Sequence, residues 1–137
     1  MKILFVFVLV GSLIGCGNSE EESTMTDTEN KIIIESLEVM KEDLGVMEWE
    51  QAEQACENLG SGWRLPSLKE LEVVYKNRKE IGGFEEGHYW SSSESTDTAI
   101  SNVMMIIRFG VGDQFYNGKQ TPNHVRAVRT AVVGLSR

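Results

Sequence analysis

The chain has 137 residues, 41% of them hydrophobic, and carries 21 Asp and Glu against 13 Lys and Arg, a formal net charge of -8. Such acidity argues against nucleic acid as a partner, because phosphate binding is driven by clustered Lys and Arg. The charge is unevenly spread. Residues 16 to 57 hold 13 acidic side chains against Lys31 and Lys41, whereas residues 98 to 137 hold only Asp113 against Arg108, Lys119, Arg126, Arg129 and Arg137. The basic stretch is expected either to face the acidic part of its own fold or to face an anionic ligand.

Met1 and Lys2 open a short positive region, followed by an apolar run from Ile3 to Val10 that continues through Leu13 and Ile14. The run falls short of the roughly 20 apolar residues needed to cross a bilayer, and its flanks are those of an export signal. It closes on Leu13-Ile14-Gly15-Cys16, which looks like a lipobox. Residues 1–15 are therefore expected as a lipoprotein signal peptide, with Cys16 taking the lipid. More than one acyl chain gives stable anchoring, at about 0.8 kcal/mol per buried methylene. The expected location is the cell envelope, on the periplasmic or surface face of an outer membrane more readily than the inner one. Gly, Asn, Ser, Thr and Glu dominate residues 16–30, too polar to bury surface against ordering entropy, so this segment reads as a flexible tether. Residues 31–137 are left as one domain of common size.

Within that domain, Lys31 to Met40 reads as a strand and Glu42-Asp43-Leu44-Gly45 as a turn. Glu48 to Leu59 recurs at helical spacing through Trp49, Ala52, Cys56 and Leu59, and Gly60 and Gly62 supply stop signals. Cys56 lies on the apolar stripe, where a thiol is packing material rather than a nucleophile. Trp63-Arg64-Leu65-Pro66 is extended, since the residue before proline leaves the helical region. Ser67-Leu68-Lys69-Glu70 then forms a capping box that starts a second helix, whose buried face is Leu68, Leu71, Val74 and Tyr75. After Gly82-Gly83 the pattern turns strand-like over His88 to Ser91, Ile100 to Phe109, Gln114 to Asn117 and His124 to Arg129. Turn chemistry separates these strands at Gly110-Val111-Gly112-Asp113 and at Asn117-Gly118. Two helices followed by an antiparallel sheet predict an α+β domain with both helices packed on the sheet and its terminal strands side by side.

Taken together, Ala55-Cys56-Glu57-Asn58-Leu59, Gly62-Trp63-Arg64-Leu65-Pro66-Ser67 with Glu70-Leu71, Tyr89-Trp90-Ser91-Ser92 and Val125-Arg126-Ala127-Val128-Arg129 resemble the bacterial domain named for the C-terminal part of the Legionella collagen-like adhesin. The Trp-Arg-Leu-Pro segment alone also resembles formylglycine-generating enzymes; the ordered set points to the former. The resemblance implies a C-type-lectin-like fold and, through the namesake, adhesion to sulfated polysaccharides. It also implies a cysteine where this chain has Ala127, expected to pair with the helix cysteine that here is Cys56, so that this chain keeps half of a lost disulfide. The signature residues Trp63, Arg64, Leu65, Pro66, Ser67, Trp90, Ser91, Ser92 and Arg126 are expected to hold the fold, Arg64 by pairing with a helix carboxylate.

No catalytic residue is assigned, since no ordered His and Asp accompany Ser91 and Ser92. An enzyme related to the formylglycine generators is disfavoured because the chain is short and Cys56 is its one thiol beyond Cys16. No cofactor is expected and no metal site is assigned: His88 and His124 are the only imidazoles, and calcium through Glu94, Asp97, Asn102 or Asp113 is left as an open alternative although these residues follow no EF-hand spacing. The expected function is a lipid-anchored, non-catalytic binding module, adhesin-like for an anionic glycan or cell-surface component. Arg108, Lys119, His124, Phe115 and Tyr116 are the candidate contacts. The alternative is a protein-interaction or structural subunit of an envelope complex.

Overall fold

Residues 31–132 are described by the structure, a computed structural model. The expectations for the leader 1–15, for Cys16 and for the tether 16–30 lie outside the described residues. The first described segment is not the single strand expected over Lys31 to Met40. It is a hairpin, with β1 (Lys31–Ile34) antiparallel to β2 (Leu37–Met40) and Ile34 opposite Leu37. Glu35 makes the turn with a left-handed φ of 58°. The cause lies in the phase of burial, which runs through Ile34 on β1 and through Leu37 and Val39 on β2. One continuous strand cannot bury both parities on one face.

After the short strand β3 (Gly45–Met47), helix α1 (Trp49–Glu57) starts at Glu48, whose backbone N–H donates to Gln51 Oε1 at 3.2 Å. It buries Trp49, Ala52 and Cys56. Helix α2 (Leu68–Lys76) begins at the capping box read from the sequence: Ser67 Oγ accepts from Glu70 N at 3.2 Å, and Ser67 N donates to Glu70 Oε1 at 2.9 Å. A short helix α3 (Arg78–Ile81) follows directly. It was not expected, and its one buried residue is Ile81.

The remaining strands are β4 (His88–Glu94), β5 (Val103–Arg108), β6 (Gln114–Gly118), β7 (Asn123–Val125) and β8 (Val128–Thr130). They do not form one sheet. β1, β2 and β8 make a three-stranded sheet, and the order β3-β7-β4-β5-β6 makes a second of five strands, in which the β4–β7 pairing is parallel. The segment His124 to Arg129, expected as one strand, divides between the two sheets because Arg126 turns fully into the interior there. The C-terminal strand does lie beside the N-terminal hairpin, Leu37 opposite Thr130 and Val39 opposite Val128.

Neighbouring residues on a strand point to opposite faces, and the five-stranded sheet is buried on both. On one face Tyr89, Ile107 and Phe109 pack with Leu71 and Val74 of α2. On the other, Trp90, Ile106 and Met104 pack with Trp49, Ala52 and Cys56 of α1 and with Trp63. Each helix thus covers its own face.

Candidate ligand-binding surface

The regularity of β4 fails after Trp90. Trp90 pairs with Ile106 but Glu94 pairs with Met104, so Ser91, Ser92 and Ser93 bulge opposite Met105. Bulges re-aim side chains, and here each of the three serines has a structural partner through its backbone or its hydroxyl. Ser91 Oγ donates to the Met105 carbonyl at 2.7 Å and accepts from Ser93 N at 3.1 Å; Ser92 N donates to the Pro66 carbonyl at 2.8 Å. Ser93 Oγ accepts from Leu68 N, the first amide of α2, at 2.9 Å. The bulge is thereby tied to the helix start, and between them lies a groove of about 540 Å³ lined by Ser67, Leu68, Lys69, Ser93, Glu94, Thr96, Met105 and Gln114. Its floor is mainly apolar, its rim carries one cation and one carboxylate, and its volume falls in the range of small-ligand clefts. Of the expected signature and contact residues, only Ser67 lines this groove. The one signal for the rest was the Ser91-Ser92-Ser93 run, which breaks strand alternation.

Apart from Ser67, which lines the groove, the partly exposed Arg64 and the exposed Ser92, the expected signature residues are buried. Trp63 is buried beneath the Arg129 guanidinium, 4.5 Å from its ring centroid. Leu65 and Pro66 are buried, and the Trp90 indole donates to the Met47 carbonyl at 2.8 Å. Arg64 makes two bonds to Glu70, at 2.6 and 3.0 Å, on a guanidinium that stays partly exposed. That hydrogen-bonded cation holds the Glu70 carboxyl below the usual carboxylate range, against the opposing effect of burial.

Arg126 is the most enclosed charge. Its Nε donates to Asp43 Oδ1 at 2.7 Å, Nη1 to the Met40 and Gly82 carbonyls at 2.9 and 3.1 Å, and Nη2 to the Gly83 carbonyl at 2.6 Å. Phe84 covers the guanidinium at 3.7 Å. Asp43 Oδ2 accepts from the Tyr89 hydroxyl at 2.7 Å, and that hydroxyl accepts from Glu85 N at 2.8 Å. Burial, followed by the bond to Asp43, pushes the Tyr89 phenol well above its ordinary range. The acidic half and the basic half of the chain meet here and at Arg129–Glu38, 2.6 Å apart.

The five candidate contacts do not converge. His124 stacks on Tyr89 at 5.0 Å and lies 3.6 Å from Asp43, as part of this interior cluster. Lys119 sits over the Trp49 ring at 4.4 Å. Arg108 and Phe115 are together: the guanidinium is 5.3 Å from the ring centroid and bonds Asp113 at 2.7 and 3.1 Å, with His88 packed edge-on against Phe115. Tyr116 is exposed on the opposite face of β6. Asp97 is engaged locally, accepting from Ala99 N, and no group of three or more His, Cys, Asp or Glu gathers as a metal site among the described residues. Cys56 and Ala127 are both fully buried in one cluster. Burial, then Glu53 and Glu57, pushes the Cys56 thiol up to about 12.

Two helices on opposite faces of a sheet, with the terminal strands joined, define the C-type-lectin-like class, and comparison with solved structures agrees. Botrocetin aligns with a TM-score of 0.55 at 15% identity, over 74% of this chain and 97% of its own. The snake venom toxin convulxin gives 0.55 at 12%, over 75% and 96%. EMS16, an antagonist of a collagen-receptor integrin, gives 0.51 at 15%, over 74% and 98%. No curated protein sequence matches significantly. The sequence profile of the Lcl C-terminal domain matches residues 21–129, and the chain belongs to that family.

Proposed function

We propose that this protein is a non-catalytic binding module, held outside the cytoplasm by lipid on Cys16, that takes an extended segment of a protein partner in the groove between α2 and the β4 bulge. The groove is the observation that carries the reading. Leu68 and Met105 offer apolar contact, Ser67, Ser93, Thr96 and Gln114 offer donors and acceptors for a peptide backbone, and Lys69 and Glu94 present both signs of charge. Botrocetin is known in complex with the von Willebrand factor A1 domain, so proteins on this fold engage protein surfaces. A non-catalytic role is supported by the inert environment of the two kinds of candidate nucleophile: Cys56 is buried with its pKa pushed up to about 12, and the Ser91 hydroxyl donates to a backbone carbonyl.

Selection of displayed peptides on the full chain tests the ligand class. Peptides so obtained are expected to lose binding to Lys69→Glu and Met105→Asp; binding indifferent to both would refute the groove. The anchor has its own test. Cys16→Ser is expected to abolish labelling by a palmitate analogue and release the protein from membranes, and labelling that persists would refute it.

A second reading, an anionic glycan, is favoured by the exposed Arg108–Phe115 stack with His88 beside it. It predicts binding to sulfated polysaccharides that weakens steeply with salt and is lost in Arg108→Ala with Phe115→Ala.

A further inference from the structure

We propose that the outer edge of β6 pairs with β6 of a second copy, making the protein a two-fold dimer through an antiparallel ladder centred on Tyr116. This inference is independent of what the groove binds. The starting observation is that β6 closes one end of the five-stranded sheet and, among the described residues, pairs only with β5. Its sequence, Gln114-Phe115-Tyr116-Asn117-Gly118, has no charge and no proline. Natural edge strands are usually blunted by such residues, whereas this one carries Phe115 and Tyr116 at 44% and 47% exposure.

The direction of its backbone groups follows from the ladder. Arg108 N donates to the Asp113 carbonyl at 3.0 Å and Lys119 N to the Asn102 carbonyl at 3.2 Å, in the register that pairs Ile107 with Gln114 and Val103 with Gly118. Hydrogen-bonded pairs alternate along an antiparallel ladder. Residues 113, 115, 117 and 119 therefore turn their backbone groups toward β5, and Gln114, Tyr116 and Gly118 turn theirs away. The Gly118 carbonyl is engaged by Thr121 N at 2.9 Å within the following turn; the Gln114 and Tyr116 groups and the Gly118 N–H face outward along the edge.

Two copies of β6 laid antiparallel at full overlap place Tyr116 opposite itself and Gln114 opposite Gly118, so outward groups meet outward groups. That same register sets Asp113 opposite Lys119 of the second copy, at both ends of the ladder. Shifting the pairing by two residues in either direction removes this match, leaving Asp113 opposite Asn117 or Thr121. Charge complementarity and backbone parity thus select one alignment, and the interface is isologous, as a two-fold dimer requires. Asp113 already bonds Arg108 and Lys119 already rests on Trp49, so both charges are held near the edge before the second copy arrives.

The test uses the full chain expressed with its own leader, as two differently tagged copies in one cell. Wild-type copies are expected to co-capture each other. With Asp113→Lys in both copies, or Lys119→Asp in both, two cross-strand pairs become repulsive and recovery is expected to fall by roughly tenfold. One copy with Asp113→Lys and the other with Lys119→Asp restores both pairs in trans, and recovery is expected to return. Melting of each variant confirms folding. A short bis-maleimide is expected to join copies carrying Tyr116→Cys but not copies carrying Val46→Cys, on the exposed opposite edge strand β3. Wild-type copies that do not associate, charge variants that fail to rescue each other, or cross-linking at 46 equal to that at 116 would overturn the dimer.

Discussion

Polar and aromatic side chains are used in opposite ways around Arg126 and along the groove and β6. At Arg126 each guanidinium nitrogen is bonded within the fold, and the side chain is fully enclosed by Asp43, three backbone carbonyls and Phe84. At the groove and along β6, the polar and aromatic side chains lie open: Lys69, Glu94 and Gln114 line a cleft, and Phe115 and Tyr116 stand exposed. The first region carries a residue of the family signature, and most of the second carries none. The comparison teaches that the enclosed Arg126 is used to tie segments together, while the surface open to a partner is built mostly from residues outside the motifs that carry the resemblance.

The largest effect should come from breaking the enclosed side. Arg126→Ala takes the cation from Asp43, which keeps the Tyr89 hydroxyl, and takes the guanidinium donor from the Met40, Gly82 and Gly83 carbonyls, a loss of about 3–5 kcal/mol of the kind seen when one partner of a buried pair is removed. Urea denaturation should show it directly. The expected lost disulfide sharpens the comparison from the other core: Ala127→Cys should pair with Cys56 under oxidising conditions and add about 2–4 kcal/mol, read as a melting shift that a reductant reverses. Ser67→Ala removes the acceptor for Glu70 N and should cost about 1 kcal/mol of stability, while also loosening one wall of the groove.

The smallest effect is a pH dependence. The folded pKa of Glu70 is depressed by Arg64, so its contribution is present above the ordinary carboxylate pKa and is lost as pH falls through the folded value. The difference in melting temperature between wild type and Glu70→Gln is expected to be largest near neutrality and to vanish in acid. A difference that persists in acid would mean that Arg64 and Glu70 contribute through packing rather than charge.

Helices α1 and α2 are legible in the sequence because their signals are local: the Trp49, Ala52, Cys56 stripe at helical spacing and the Ser67 to Glu70 capping box; the one-turn α3 carries no such signal. The hairpin of β1 and β2 was hidden by the apolar continuity of the Ile32-Ile33-Ile34 run, and only the change of burial parity after Ile34 betrays it. The split of His124 to Arg129 depends on carbonyls more than 40 residues away that draw Arg126 inward. The same holds for the candidate contacts. Arg108, Lys119 and His124 stand out in the sequence as basic side chains, but their partners Asp113, Trp49 and Tyr89 are set by the tertiary fold.

The central claim, that ligand recognition belongs to the mixed-charge groove rather than to the basic residues, is tested most directly by binding of the full chain to sulfated, acidic and neutral polysaccharides at low and at physiological salt. The groove account predicts no salt-sensitive preference for the sulfated members, because Arg108, Arg126 and Arg129 are already paired with carboxylates and the chain carries a net charge of -8. Tight binding confined to sulfated polysaccharides and lost on raising salt would contradict it.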